Sequence, residues 1–87
     1  MATTKKSARR GRTGRAGAVP GLSARNQLRG SVVSVRRGGI LSEVVLRLPG
    51  GGEIVSIITT GSVRRLGLRP GVEATAVIKS TEVMLYR

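Results

Sequence analysis

The sequence of 87 residues contains no cysteine, histidine, tryptophan or phenylalanine, and its single aromatic residue is Tyr86. The absence of cysteine excludes a disulfide scaffold, a zinc finger and a thiol nucleophile. Without histidine, the chain lacks the usual general base and the commonest transition-metal ligand. Its 4 acidic residues are all Glu and lie far apart, a poor arrangement for a hard-cation site. We therefore expect a binding protein rather than an enzyme.

Negative charge and long hydrophobic runs are both scarce. Lys and Arg total 16 against 4 acidic residues, so the formal net charge is +12 at pH 7, which favours a negatively charged ligand or partner. The apolar runs span a few residues, whereas a transmembrane helix needs about 20. The basic N-terminus is not followed by the apolar segment of a secretory signal. These features predict a soluble cytoplasmic protein.

The chain changes character near Ser23. Residues 1–22 carry a charge of +6 and only two sizeable apolar residues, Val19 and Leu22. A segment of this composition buries too little apolar surface to offset the entropy of ordering, so we predict a disordered basic tail over 1–22 and a domain over 23–87. The favoured interpretation is a solvated tail or the remnant of a lost upstream domain, and the alternative is an arm that binds nucleic acid or another polyanion.

Short β-branched runs separated by glycine follow the tail, which is typical of strands. The predicted strands cover residues 28–35, 40–48, 53–59, 72–78 and 83–86, and a helical turn covers 62–66. Thr59 or Thr60 is the expected N-cap of this turn and Gly67 its C-terminal stop. Five strands with a small helix between the third and fourth predict an all-β, OB-like barrel.

Two predicted strands indicate where the core lies. In the second, Ile40, Val44, Leu46 and Leu48 share one face by alternation. The third strand is apolar on both faces, so one face lines the barrel and the other needs a second cover. A domain of about 65 residues buries only about 60% of its unfolded surface. Because neither disulfides nor metals are available, we expect a homo-oligomer.

Three segments place hydroxyls or amides close to a cation, namely residues 23–26, 59–62 and 79–81. A tetrahedral dianion such as molybdate, tungstate or sulfate presents only acceptor oxygens, so every contact to it must be a donor. None of the three segments contains a carboxylate. Each also has an ordinary structural interpretation, as connecting chain, helix cap or solvated lysine. The residues alone leave both interpretations open.

These segments also carry a family resemblance. Residues 23–30 read SARNQLRG, residues 57–62 read IITTGS, and residues 76–84 read AVIKSTEVM. Together they resemble the molbindin (Mop) family over roughly residues 21–86. The resemblance implies a five-stranded TOBE or OB-like barrel and cytoplasmic hexamers, built as trimers of dimers, that bind molybdate or tungstate between subunits. It implies no separate cofactor and no metal cation, since molybdenum is bound as its oxyanion.

Carried over position by position, the resemblance assigns eight residues to molybdate binding. They are Ser23, Ala24, Arg25, Asn26, Thr59, Ser62, Lys79 and Ser80. Arg25 and Lys79 would supply charge, and the hydroxyls would orient the oxygens. The chain departs from the family at Gly61, where relatives often have a longer side chain. It also has arginine where relatives are often acidic or mixed, at Arg36, Arg37, Arg64, Arg65 and Arg69.

The leading hypothesis is therefore an intracellular molybdate- or tungstate-binding protein that stores or buffers the oxyanion. The alternative is a small basic OB-like protein that binds nucleic acid through its N-terminal arm. Net charge favours this alternative. The lack of aromatic side chains argues against it, because OB domains that hold single strands stack bases on aromatic residues.

Overall fold

The computed structural model describes residues 21–87, so the predicted tail lies outside the described residues except for positions 21 and 22. The elements in chain order are β1 (Asn26–Arg37), β2 (Leu41–Arg47), β3 (Glu53–Thr59), α1 (Thr60–Leu66), β4 (Glu73–Ile78) and a 3-10 helix (Ser80–Glu82). The four strands form one sheet in the order β3-β2-β1-β4. The predicted all-β class, with one helix between the third and fourth strands, is confirmed.

The β2–β3 hairpin follows the sequence prediction closely. The two strands are antiparallel, with a register that runs from Leu41 opposite Thr59 to Arg47 opposite Glu53. The turn is closed by a hydrogen bond of 2.7 Å from the Leu48 N–H to the Gly52 carbonyl. The bounds of β3 are those predicted from the sequence. Glycine-rich turn chemistry between two β-branched runs therefore predicts this part of the fold well.

The core is built from alternate residues of β2 together with apolar side chains of β1 and α1. Val44 and Leu46 of β2 are buried, as are Val32 of β1 and Val63 of α1, and Val63 has no exposed surface. This alternation confirms the predicted inward face of β2 for Val44 and Leu46. The core contains no aromatic side chain, since Tyr86 is fully exposed.

Ile40 does not lie on this inward face, contrary to the prediction. It is 80% exposed and lies in the turn before β2, and its carbonyl accepts the Thr60 N–H at 2.8 Å. The inward position nearest that end of the strand belongs to Ser42, which is 2% exposed. Because a turn breaks the two-residue period, alternation counted back from Val44 fails there.

β1 is longer than predicted and contains an irregularity. Val32 pairs with Leu46 and Ser34 pairs with Val45, so Val33 is the additional residue of a β-bulge. Close to the bulge, a Cβ at Gly30 would meet the backbone carbonyl of Arg47. Glycine is therefore required at this position of β1, beside the Arg47 carbonyl.

The helix α1 is fixed at both ends by the expected residues. Of the two candidate caps, Thr59 is the N-cap, and its hydroxyl accepts the Ser62 N–H at 3.0 Å. Gly67 ends the helix in the left-handed conformation, with φ 65° and ψ 34°. The helix begins at Thr60 rather than at Ser62, so only its start differs from the prediction.

The predicted fifth strand, Val83–Tyr86, is wrong for the chain on its own. Residues 83–87 have no regular secondary structure, and Met84, Leu85 and Tyr86 are 91%, 93% and 100% exposed. The Val83 N–H bonds the Ser80 carbonyl at 3.4 Å, a contact that belongs to the 3-10 turn. An apolar, β-prone segment forms a strand only when a neighbouring backbone pairs with it, and within residues 21–87 none does.

The described residues form two compact units. One contains residues 21–29 with Thr75–Arg87, and the other contains Gly30–Ala74. β1 and β4 each contribute residues to both units. No helix within residues 21–87 has the length and apolar character needed to cross a membrane.

Candidate functional site

Ser23 and Lys79 meet in the first of the two units. The Lys79 ammonium donates a hydrogen bond of 3.0 Å to the Ser23 hydroxyl, although the two residues are 56 positions apart. Both side chains are exposed. An ammonium has three N–H donors, and a hydroxyl that accepts one bond still has its own hydrogen to donate. The pair therefore retains donors for an outside acceptor.

Two side-chain contacts support the segment that carries Ser23. The Asn26 amide donates to the Ile78 carbonyl at 3.2 Å, which ties the start of β1 to the end of β4. The Gln27 amide donates to the Ala24 carbonyl at 2.9 Å, and Ala24 is buried. Ala24 and Asn26 thus anchor the segment. These two contacts hold Ser23 close to Lys79, which follows Ile78 in the chain.

Arg25 and Ser80 belong to the same unit. Arg25 is exposed, and Ser80 is the exposed first residue of the 3-10 helix that Lys79 precedes. The Lys79 carbonyl accepts the Glu82 N–H at 2.9 Å, which closes that turn. Within the described part of the chain, neither Arg25 nor Lys79 is paired with a carboxylate. Their charges are therefore available to an anion.

Thr59 and Ser62 form the second group, in the unit Gly30–Ala74. The Thr59 hydroxyl accepts the Ser62 N–H at 3.0 Å and donates to the Ser62 hydroxyl at 2.8 Å. The Arg65 guanidinium also donates to the Ser62 hydroxyl, at 3.4 Å. Arg65 was not among the predicted site residues. The signal was available, since residues three apart on a helix lie on one face.

The structure thus gathers the eight predicted residues into two groups, one in each unit. The first is Ser23, Ala24, Arg25, Asn26, Lys79 and Ser80, and the second is Thr59 and Ser62. Both groups offer hydroxyl or cationic donors. No three His, Cys, Asp or Glu side chains come together among residues 21–87. This donor chemistry is suited to holding an oxyanion.

Comparison with known proteins identifies the family of this donor-rich domain. The TOBE domain model matches residues 22–85. The chain belongs to the TOBE family. Among its relatives, it is 56% identical over 64 residues to molybdenum-pterin-binding protein 1 of Clostridium pasteurianum, a match that covers 74% of this chain and 94% of the relative. The resemblance to the Mop proteins is therefore confirmed.

Solved structures share the fold of this TOBE chain and about half of the aligned sequence. MopII from Clostridium pasteurianum superposes with a TM-score of 0.72 at 52% identity, covering 76% of this chain and 98% of that one. ModG, described as a cytoplasmic molybdate-binding protein and solved with molybdate bound, gives a TM-score of 0.68 at 47% identity over 76% of this chain and 45% of its own. These likenesses confirm the OB-like fold.

Proposed function

We propose that this TOBE protein binds molybdate or tungstate and stores or buffers the oxyanion inside the cell. Relatives that cover nearly the whole domain carry the name molybdenum-pterin-binding protein. A structural neighbour 47% identical to the chain is described as a cytoplasmic molybdate-binding protein. These likenesses support both the ligand and the cytoplasmic location, and the relatives are named as binding proteins.

The observation that carries the proposal is the hydrogen bond between Lys79 and Ser23. It brings the two ends of the Mop-like sequence pattern to one place, and its donors are not satisfied by a carboxylate within residues 21–87. A tetrahedral dianion accepts hydrogen bonds at all four oxygens and donates none, so it matches such a donor set. In the proposed function the first group supplies the charges of Lys79 and Arg25 with the hydroxyls of Ser23 and Ser80. The second group supplies the hydroxyls of Thr59 and Ser62.

The proposed sites lie between subunits of a homo-oligomer. Val55 and Ile57 on the outer face of β3 are each 59% exposed, and the apolar residues Met84 and Leu85 are almost fully exposed. Further copies of the chain would cover the apolar residues of each unit. In this arrangement Val83–Tyr86 forms the fifth strand by pairing with another subunit. The expected assembly is a hexamer built as a trimer of dimers.

The ligand is bound as an intact oxyanion, and no separate cofactor is proposed. Molybdate and tungstate are tetrahedral dianions of nearly equal size, so the same hydroxyl and cationic donors serve both. Sulfate has the same charge but is smaller, so its rejection depends on the dimensions of the assembled site. Binding rather than catalysis is the proposed role, since the chain has neither histidine nor cysteine.

Native mass spectrometry of the full chain, with and without molybdate, tests this function and its assembly together. We expect a hexamer that gains a defined number of molybdate ions. A monomer that takes up none would contradict the proposal. A variant ending at Val83 removes the exposed apolar residues 84–86 and is expected to lose the hexamer. A variant lacking residues 1–20 is the matched control and is expected to keep it.

A further inference from the structure

We propose that Arg65 is an additional affinity- and specificity-determining residue of the oxyanion site, acting through Ser62. This inference rests on the proposed function. Arg65 lies outside the eight residues assigned by the family resemblance. Its contact with the Ser62 hydroxyl, at 3.4 Å, joins it to the Thr59–Ser62 group.

The hydrogen-bond pattern at Ser62 defines what its hydroxyl has left to offer. Thr59 Oγ1 accepts the Ser62 N–H and donates its own hydrogen to Ser62 Oγ. Ser62 Oγ also accepts a hydrogen from the Arg65 guanidinium. A hydroxyl oxygen has two lone pairs, and both are now occupied by donors. The hydrogen of Ser62 is therefore the remaining bonding capacity of this hydroxyl, and it is available to an acceptor.

Arg65 also brings positive charge to this hydroxyl. Residues of α1 include no acid, and within residues 21–87 no carboxylate is paired with Arg65. A guanidinium that donates to a hydroxyl withdraws electron density from it and strengthens it as a donor. An oxyanion that accepts the Ser62 hydrogen would then experience both the polarised hydroxyl and the nearby cation. A dianion gains more from that charge than a monoanion of the same shape.

Arg64 provides an internal control. It lies beside Arg65 on α1, is exposed, and carries the same charge. Within the described residues its side chain bonds neither Thr59 nor Ser62. If Arg65 acted only through net charge, replacement of Arg64 or of Arg65 would weaken anion binding equally. If Arg65 acts through Ser62, replacement of Arg65 alone would weaken it.

The test is calorimetric titration of the full chain with molybdate and with perrhenate, a tetrahedral monoanion of similar size. We expect Arg65→Gln to weaken molybdate binding about tenfold and to weaken perrhenate binding less. Arg65→Lys should restore part of the affinity, and Arg64→Gln should stay within about twofold of the original chain. Equal losses for Arg65→Gln and Arg64→Gln would overturn the proposal.

A double-mutant cycle with Ser62→Ala distinguishes an effect of Arg65 through the Ser62 hydroxyl from a general effect of the substitution on the fold. In the Ser62→Ala background, Arg65→Gln is expected to cost clearly less than tenfold, because the hydroxyl through which Arg65 acts has been removed. A full tenfold loss in that background would overturn the proposed route. If the original chain binds no molybdate, the proposed function itself fails. If the original chain binds and the Arg65 variants match it, this inference alone fails.

Discussion

Ser23 and Lys79, which are 56 positions apart, are joined by a hydrogen bond of 3.0 Å. The Asn26 amide holds the neighbouring backbone at Ile78 with a bond of 3.2 Å, so the contact is built on the paired strands β1 and β4. Strand pairing therefore places a hydroxyl from one end of the domain beside a cation from the other. The proposed oxyanion binding depends on this arrangement.

Replacement of Lys79 tests the first group directly. We expect Lys79→Gln to weaken molybdate binding about tenfold, because it removes a cationic donor and leaves Ser23 without its partner. Lys6→Gln removes the same charge outside the domain and should leave affinity unchanged. Calorimetry on both variants measures the difference. Equal affinities for the two variants would show that Lys79 contributes no more than a distant charge and would contradict its place in the site.

A buried hydroxyl pair is expected to stabilise the unit Gly30–Ala74. Ser42 Oγ and Thr60 Oγ1 are 2.7 Å apart, and Thr60 also donates to the Gly38 carbonyl at 3.0 Å. Thr60→Val leaves both partners of Thr60 without their bond and should lower the free energy of unfolding by about 1–3 kcal/mol. Ser42→Ala leaves the bond to Gly38 intact and should cost less. Denaturant unfolding of both variants measures the two losses in free energy of unfolding. A larger loss for Ser42→Ala than for Thr60→Val would refute the prediction.

Two glycines around α1 are expected to respond in opposite directions. Gly67 has φ 65°, so Gly67→Ala should lower the free energy of unfolding by about 1 kcal/mol. Gly61 lies within the helix, and a Cβ there would come no closer than 4.0 Å to Thr59 Oγ1. Gly61→Ala should therefore raise stability by up to about 1 kcal/mol. Thermal unfolding compares the two, and a shift of the same sign in both would contradict this description of the helix.

Nucleic-acid affinity, where it exists, is expected to reside in the N-terminal arm. Residues 1–22 carry +6, whereas the sole aromatic residue available for base stacking is Tyr86. Deletion of residues 1–20 should abolish DNA binding in a filter or mobility assay and leave molybdate binding intact. DNA binding retained by residues 21–87 would place a nucleic-acid surface on the domain and contradict this assignment.

The fold was predictable wherever short-range chemistry decides it. Alternation and turn residues predict β3, and capping preferences predict Thr59 and Gly67 at the two ends of α1. The prediction was wrong at Ile40, since a turn interrupts the alternation there. It was also wrong for Val83–Tyr86 in the single chain, because a strand needs a pairing partner that local sequence does not specify.

For the candidate site, the sequence predicted which residues are involved but not the contacts between them. The family pattern selected Ser23 and Lys79, but their contact depends on strand pairing and is visible only in the structure. Ala24 and Asn26 were predicted to be ligands. In the structure the Ala24 carbonyl accepts a bond from Gln27, and the Asn26 amide donates one to the Ile78 carbonyl. The contact of Arg65 with Ser62 was not predicted, because the family pattern assigns no role to Arg65.

Calorimetric titration of the purified full chain with molybdate is the decisive measurement of oxyanion binding. We expect saturable binding with heat, a similar response to tungstate, and an increase in thermal stability on binding. The absence of both heat and stabilisation at millimolar molybdate would contradict it.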